Sequence, residues 1–159
     1  MTSLPIVSPR LTLRARWGGL LLLAFTLFWG AERALLGATA PDWIWGEAPR
    51  DNEVRLFTRS FTLAAKADRA VLTFTCDNGA EVFLNGQRVG RTTDWSRPAN
   101  ASVANRTQAG ENLLQVVARN SEGIAGFLLQ LELTLPGGAR ERILSDTSWR
   151  TLPSPSRSE

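Results

Sequence analysis

Two Asn-Gly dipeptides constrain the fold of this chain more than any other feature of its sequence. Asn78-Gly79 and Asn85-Gly86 bracket a short alternating run at residues 80–84. Asn-Gly is the strongest short signal for a β-hairpin, because both residues tolerate the positive φ that a type I′ turn requires. Strand-forming residues lead into the first turn and out of the second. The segment therefore predicts a three-stranded antiparallel meander within a mostly β fold.

Apolar and polar residues alternate along the chain after Pro41. A period of two gives each predicted strand one apolar face. The residues expected to face inward are, strand by strand, Phe57, Arg59, Phe61 and Leu63; Ala70, Leu72, Phe74 and Cys76; Leu114, Val116 and Ala118; and Phe127, Leu129, Leu131 and Leu133. Weaker strands are predicted at residues 87–91, 101–105 and 142–144. About eight or nine short strands separated by Gly, Asn and Asp turns are typical of a two-sheet antiparallel sandwich.

The first 40 residues have the composition of a signal peptide or a signal anchor. Arg10, Arg14 and Arg16 precede an uncharged apolar run at residues 17–31. The run suits the h-region of a signal peptide and is shorter than the ~20 residues of a full membrane span. We expect it to form an apolar helix, and a buried core helix is less favoured because nothing downstream offers helical partners. Because the basic side stays in the cytoplasm, the β domain is predicted to be extracytoplasmic.

Cleavage of this segment remains an open alternative. Ala38-Thr39-Ala40 is similar to a signal-peptidase site, but Pro41 follows it directly, where proline is poorly accepted. The protein is therefore predicted to be either secreted or membrane-anchored. The predicted organisation is a signal segment at residues 1–40, a β-sandwich at residues 41–150 and a disordered tail, rich in Ser and Pro, at residues 151–159.

The composition excludes several classes of function. The chain has no histidine, no tyrosine and one cysteine, which rules out His-based acid–base chemistry, Ser/His/Asp and Cys/His triads, His-ligated zinc and disulfides within the chain. Its net charge of +3 is the difference between 18 basic and 15 acidic residues, and all of the basic residues are arginine except Lys66. These arginines are scattered and form no basic patch with interleaved aromatics, so no nucleic-acid partner is expected.

A hydrolase without histidine would need a pair of carboxylates. The candidate acids are Asp77, Glu81, Asp94, Glu122 and Asp146, and no spacing among them enforces the separation that a glycosidase requires. A calcium site needs a cluster of carboxylates and carbonyls, and no loop is acid-rich in this way. The sequence therefore predicts a domain that is not an enzyme, with no catalytic residue, no metal and no cofactor.

Five short phrases in the sequence match a known type of domain in their order and spacing. They are E-V-F-L-N-G-Q-R-V-G at residues 81–90, G-E-N-L-L-Q-V at 110–116, W-I-W at 43–45, L-F-T-R-S-F-T-L at 56–63 and S-D-T-S-W at 145–149. Residues 41–150 thereby resemble the sugar-binding jelly-roll modules of glycoside hydrolase family 2 enzymes and of α-L-rhamnosidases. The last three phrases lean toward the rhamnosidase type. The resemblance implies a galactose-binding-like jelly-roll sandwich, and it implies that catalysis belongs to a separate barrel module.

Residues near the predicted turns are the candidates for ligand contact. Trp95 lies in a polar loop, where two roles fit a large aromatic side chain: it stacks on a sugar, or it covers the open end of the sandwich. Asp77 and Asn78 open the first tight turn, where local Asx hydrogen bonding is the alternative. Asn120 lies in a connection between two strands. The predicted carbohydrate-binding residues are therefore Asp77, Asn78, Trp95 and Asn120.

Four other conspicuous residues are predicted to pack in the interior. Cys76 lies on the apolar face of its strand and is expected to be a small buried hydrophobe with an inert thiol. Trp43, Trp45 and Trp149 belong to the terminal segments that resemble the framework of the modules named above. Packing is therefore favoured over ligand contact for all three tryptophans.

The most favoured function is a non-catalytic carbohydrate-binding module, tethered to the membrane through its N-terminal segment, whose partner is a carbohydrate or a glycan-bearing molecule. One alternative is a structural module that docks an extracytoplasmic protein. Another is an accessory fragment of a glycoside hydrolase whose catalytic half lies elsewhere. An exposed aromatic beside Asn, Asp or Arg would favour sugar binding, whereas a flat apolar patch or an unpaired sheet edge would favour protein docking.

Overall fold

The structure of the protein, a computed structural model, describes residues 40–46 and 48–153. The elements within these ranges are β1 (Glu53–Leu63), β2 (Arg69–Asp77), β3 (Gly79–Leu84), β4 (Gln87–Thr92), β5 (Ala99–Ser102), a short 3-10 helix (Ala104–Arg106), β6 (Gly110–Asn120), β7 (Gly126–Thr134), β8 (Arg140–Leu144) and β9 (Arg150–Pro153). The predicted signal segment and its apolar helix lie outside the described residues, except for Ala40. Within the described ranges, no helix is both long and apolar enough to cross a membrane.

The strands form two antiparallel sheets, which confirms the all-β prediction. The five-stranded sheet has the order β4-β3-β6-β1-β9, and the four-stranded sheet has the order β5-β2-β7-β8. The sheets pack face to face, since Phe57 of β1 and Phe127 of β7 lie with ring centroids 5.4 Å apart although they belong to different sheets. The architecture is therefore a β-sandwich.

The predicted alternation of faces is confirmed along the long strands. In β2, β6 and β7 the residues expected to face inward are buried. The same holds for β1, except that Arg59 is only half-buried. Alternation places every second side chain on the same side of a sheet, and burial of that apolar side against the other sheet stabilises both. A single core of buried residues results, to which both sheets contribute.

The second Asn-Gly dipeptide forms the predicted hairpin turn. Asn85 has φ 51° and Gly86 has φ 76°, and positive φ at both central residues is the requirement of a type I′ turn. The Asn85 side chain also donates a hydrogen bond to the Arg106 carbonyl at 2.8 Å and accepts one from the Leu113 amide at 2.9 Å. The turn between β3 and β4 is thus tied to the strand beside it.

The first Asn-Gly dipeptide does not form a hairpin, so the predicted meander is wrong. β2 belongs to the four-stranded sheet and β3 to the five-stranded sheet, and neither Asn78 nor Gly79 has a positive φ. The chain instead crosses from one sheet to the other at Asn78. The physical reason is that β2 already has partners on both sides, β5 and β7, which leaves no free edge for β3.

Two predicted boundaries also need correction. The boundary at residue 150 falls inside the sandwich, because β9 pairs with β1 from Thr58 opposite Arg150 to Arg55 opposite Pro153. Residues 154–159 of the predicted tail lie outside the described residues. The strand predicted at residues 101–105 is β5, which spans Ala99–Ser102. It ends before residue 105 because Ala104–Arg106 form the 3-10 helix.

Candidate functional site

Three of the predicted contact residues lie where the chain leaves two strands at one end of the sandwich. Asp77 is the last residue of β2, Asn78 is the crossover residue that follows it, and Asn120 is the last residue of β6. The backbone amide of Asn78 donates to the carbonyl of Arg119 at 2.9 Å, which holds the two strand ends together. The sequence placed these residues in turns, whereas two of them end strands.

Asn78 joins the crossover to the loop after β6. Its Oδ1 accepts a hydrogen bond from the backbone amide of Ser121 at 2.5 Å. The alternative to ligand contact was a local Asx hydrogen bond to the backbone of the same turn. The observed partner, Ser121, is instead 43 residues away along the chain. Asp51 holds the same loop from the other side, where its Oδ1 accepts from the Gly123 amide at 2.9 Å. The loop at residues 121–125 is therefore positioned by side chains from two other segments.

Asn120 is buried, with only 2% of its surface exposed. Its Nδ2 donates to the carbonyl of Arg50 at 3.0 Å and to the carbonyl of Gly123 at 3.4 Å. Its Oδ1 is buried without a hydrogen-bond partner among the described residues. The amide nitrogen of Asn120 thus organises the loops around it, and the residue presents little surface to solvent.

Trp95 lies in an exposed polar loop between β4 and β5, and 57% of its surface is accessible. Its carbonyl accepts a hydrogen bond from Oγ1 of Thr75 on β2 at 2.8 Å, which anchors the loop to the sheet. Within the loop, Oδ1 of Asp94 accepts from the hydroxyl of Ser96 at 2.6 Å and from its amide at 3.0 Å. These two hydrogen bonds lower the pKa of Asp94, with the hydroxyl contributing most.

The prediction that Trp43 packs in the interior is wrong. It is 52% exposed, not packed in the interior. Its ring rests on the backbone of Gly126, since a Cβ atom added there would stand 2.7 Å from Cε3 and 3.4 Å from Cζ3 of the indole. A glycine at the start of an apolar strand is a signal that could have revealed this close approach.

The other two framework tryptophans pack as predicted. Trp45 and Trp149 are each 6% exposed. The indole nitrogen of Trp45 donates to Oε2 of Glu53 at 3.0 Å, and that of Trp149 donates to the Leu144 carbonyl at 2.7 Å. Both polar groups are therefore satisfied inside the fold.

Strand register places the residues that hold the two exposed tryptophans on one face of the four-stranded sheet. Thr75 and Asp77 alternate with the inward residues of β2, so they lie on its outer face. Gly126 is directly opposite Asp77 in the pairing of β2 with β7, and opposite residues share a face. The ring of Trp43 therefore lies on the residue that is paired with Asp77, and the loop of Trp95 is fixed to Thr75 two residues earlier.

The prediction that Cys76 packs in the interior is confirmed. The residue is fully buried, and this burial raises the pKa of its thiol to about 12. The thiol therefore stays protonated and unreactive at neutral pH. Across residues 40–46 and 48–153, no group of three or more Cys, Asp or Glu side chains is placed to hold a metal ion.

A second surface feature lies at the other end of the sandwich. It is a shallow cavity of about 170 Å³, lined by Arg88, Val89, Ser102, Val103, Asn105 and Arg106. The exposed large apolar side chains of the described part are Trp43, Trp95, Ile124 and Leu152, and none of them lines this cavity. The end that carries Trp43, Asp77, Asn78 and Trp95 is therefore the candidate site.

Comparison with known proteins relates the chain to α-L-rhamnosidases. An α-L-rhamnosidase of Streptomyces avermitilis is 35% identical over 121 residues, which cover 69% of this chain. The crystal structure of the S. avermitilis enzyme complexed with L-rhamnose superposes with a TM-score of 0.67 and 31% identity over 72% of this chain. A Bacillus rhamnosidase of family 78 superposes with a TM-score of 0.58 and 26% identity over 73% of this chain and 13% of the enzyme.

The similarity concerns one part of these enzymes. The chain spans 12% of the length of the S. avermitilis enzyme. A lectin from Pleurotus ostreatus has the same fold, with a TM-score of 0.64 and 21% identity over 72% of this chain and 35% of the lectin. No protein-family profile matches the chain. The described part of the chain thus resembles a galactose-binding-like domain of α-L-rhamnosidases.

Proposed function

We propose that the domain is a non-catalytic carbohydrate-binding module. The observation that carries this proposal is Trp95, an indole that is more than half exposed in a polar loop anchored to the sheet beside Asp77. An exposed aromatic face stacks on the C–H surface of a pyranose, and neighbouring polar groups bind its hydroxyls. A flat apolar docking patch would lack such polar groups between its aromatic side chains.

The proposed roles follow from exposure and hydrogen bonding. Trp95 supplies the stacking face, and the carboxylate of Asp77 accepts hydrogen bonds from sugar hydroxyls. Asn78 contacts the sugar with its remaining hydrogen-bonding capacity, since its Oδ1 already accepts from Ser121. Asn120 holds the loops that shape the site, because its Nδ2 is bound to two backbone carbonyls. No residue of the chain is assigned a catalytic role.

L-rhamnose is the first ligand to test. The S. avermitilis enzyme, whose crystal structure contains L-rhamnose, is 31% identical to this chain in the superposed region. Because the chain spans only 12% of that enzyme, we propose that it serves as an accessory domain to glycoside hydrolysis. The catalytic step would then belong to another module or another protein.

Titration calorimetry of the full-length protein with L-rhamnose tests the proposal. We expect a Kd on the order of 0.01–1 mM, because an open site buries few apolar atoms and its hydrogen bonds replace those to water. Trp95→Ala should abolish the heat of binding and leave the melting temperature nearly unchanged. Leu152→Ala is the matched control, since Leu152 is equally exposed, at 57%, but lies on β9 of the other sheet.

Two outcomes would contradict the proposal. Absence of heat at millimolar L-rhamnose, together with no binding on a broad glycan array, would favour docking of a protein partner. A Trp95→Ala protein that loses binding and thermal stability together would show that Trp95 packs at the end of the sandwich.

We also propose that the domain is exported and either anchored or secreted. The support comes from the sequence, where three arginines precede the apolar run at residues 17–31. Cell fractionation with N-terminal sequencing tests this location. A full-length chain on the outer face of the cytoplasmic membrane would indicate an anchor, and a mature protein starting near Pro41 would indicate secretion. A full-length chain in the cytosol would overturn export.

A further inference from the structure

The fold holds Trp43 in a position that interior packing does not require. The indole is 52% exposed and does not belong to the core cluster, whereas Trp45, two residues later, does. The side of the indole that faces the sheet lies on Gly126, where a Cβ atom would stand only 2.7 Å from Cε3. Any side chain larger than glycine at this position would displace the ring. The indole is therefore supported by backbone on one side and half open to solvent.

The segment that carries Trp43 is fixed on both sides of the tryptophan. The amide of Asp42 donates to the carbonyl of Ser145 at 2.8 Å. Ile44 exchanges two backbone hydrogen bonds with Phe127, at 3.0 and 2.9 Å. The segment thus runs along β7 on the side away from β2, and the ring reaches back over the first residue of β7. A side chain held in this way loses little conformational entropy when it contacts a ligand.

The backbone positions that hold Trp43 and Trp95 are neighbours in the four-stranded sheet. Gly126 lies under the ring of Trp43, and Thr75 anchors the carbonyl of Trp95. Thr75 is two residues from Asp77, which is paired with Gly126, so the two anchoring positions are diagonal neighbours about 7–8 Å apart. The two exposed tryptophans are therefore held at backbone positions that are farther apart than one pyranose ring is wide. Asp77 lies on the same face, opposite Gly126 and two residues from Thr75.

The chemistry of the outer face of the four-stranded sheet favours a sugar chain over a protein as the ligand. The outer face of the four-stranded sheet continues from this end with polar pairs. Thr73 donates to Oδ1 of Asn100 at 2.6 Å, and Gln130 donates to Oε1 of Glu132 at 2.8 Å. Protein-docking surfaces have a contiguous apolar centre with few charges, whereas a sugar chain presents C–H faces that alternate with hydroxyls. Two separate indoles on a face that also carries Asp77 and these polar pairs fit the second pattern better.

We infer that Trp43 is a second aromatic contact of the binding surface, and that this surface takes two or more linked sugar residues. The inference rests on the proposed carbohydrate function and adds a residue and a ligand class to it. Trp95 and Asp77 bind the first sugar residue, and Trp43 stacks on the next one along the chain.

Calorimetric titration of the full-length protein with L-rhamnose and with an α-linked L-rhamnose trisaccharide tests the inference. The unaltered protein should bind the trisaccharide about three- to tenfold more tightly than the monosaccharide, which corresponds to one additional aromatic contact. Trp43→Ala should lose this gain and keep the monosaccharide Kd within about twofold. Gly126→Ala should give the same loss, because the added methyl group displaces the ring while the tryptophan remains. The control Leu152→Ala should change neither affinity.

The remaining outcomes overturn the inference in distinguishable ways. Equal affinity for both ligands in the unaltered protein, or an unchanged gain in Trp43→Ala, would exclude a second contact at Trp43 and leave the proposed function standing. An equal loss for both ligands in Trp43→Ala, with an unchanged melting temperature, would place Trp43 at the first sugar and also overturn it. Failure of the unaltered protein to bind either ligand would remove the proposed function and this inference together.

Discussion

The two Asn-Gly dipeptides have identical residues and different conformations. At Asn85-Gly86 the local preference for positive φ agrees with the pairing of β3 and β4 on the two sides of the turn. At Asn78-Gly79 neither residue has a positive φ, because the chain changes sheets there. A turn propensity of a dipeptide is thus realised only where its flanking strands are partners.

Substitution of Gly86 tests the positive φ of the hairpin turn. A Cβ atom at Gly86 would meet nothing within 4 Å, so any loss of stability comes from φ and not from a clash. Gly86→Val should lower the free energy of unfolding by about 1–3 kcal/mol, whereas Gly86→Asn should cost less, because asparagine tolerates this region. Chemical denaturation measures both. Equal losses for valine and asparagine would contradict the assigned turn.

Glu53 provides a pH-dependent contribution to stability. Burial alone would raise the pKa of this carboxyl, but hydrogen bonds from Trp45, Arg55 and the Arg50 amide outweigh it and hold the pKa below the ordinary 4.5. The indole and guanidinium contacts are 3.0 and 2.8 Å long. A lowered pKa means that the stabilisation is present above the ordinary pKa and is lost as the pH falls below it.

Glu53→Gln should therefore destabilise the protein by about 1–2 kcal/mol at neutral pH, because the charged acceptor is lost. The difference from the unaltered protein should shrink as the pH is lowered below the ordinary pKa of 4.5. Glu132→Gln is the control, since Glu132 is exposed and its carboxylate accepts from Gln130; a change within about 0.5 kcal/mol is expected. Denaturant unfolding at a series of pH values measures both. A difference for Glu53→Gln that is constant with pH would contradict the assignment.

At the scale of elements, β6 is the centre of the five-stranded sheet. It pairs with β1 along its whole length and with β3 on the other side. Its inward residues Leu114, Val116 and Ala118 are fully buried, whereas β9 is a short strand at the edge of the same sheet. The sandwich is therefore expected to depend far more on β6 than on β9.

Two leucine substitutions compare these strands. Leu114→Ala should lower the free energy of unfolding by about 2–5 kcal/mol, because it leaves a cavity in the core. Leu152→Ala on β9 should change it by no more than about 0.5 kcal/mol, because its side chain is mostly exposed. Urea denaturation of both proteins gives the comparison. Similar losses at the two positions would contradict the central role of β6.

The strands were largely predictable from the sequence, and their pairing was not. The alternation in β2 and β7 identifies the inward face because that pattern is local. The sequence cannot indicate that β2 pairs with β5 and β7 and that β3 joins the other sheet, because pairing depends on which edges other segments already occupy. The bounds of β5 were predicted wrongly for a similar reason, because they depend on which of its residues pair with β2.

At the scale of the whole molecule, the sequence named candidate contact residues but could not predict whether they meet. Asp77, Asn78 and Asn120 meet at one end of the sandwich, and Thr75 fixes the loop of Trp95 to the strand that Asp77 ends. The exposure of Trp43 was missed, because Trp43 and Trp45 are two residues apart and were both expected to face inward, and the meaning of Gly126 was not recognised. The burial of Asn120 was also missed, since it depends on segments far away in sequence.

The most direct test of the account follows the indole N–H signals of the full-length protein by NMR during titration with L-rhamnose. Trp95 is exposed at the candidate site, whereas the indole nitrogens of Trp45 and Trp149 donate to Glu53 and Leu144 inside the fold. We expect a saturable shift of the Trp95 signal and unchanged signals from Trp45 and Trp149. No shift of Trp95 at saturating sugar, or shifts confined to residues away from this end of the sandwich, would contradict it.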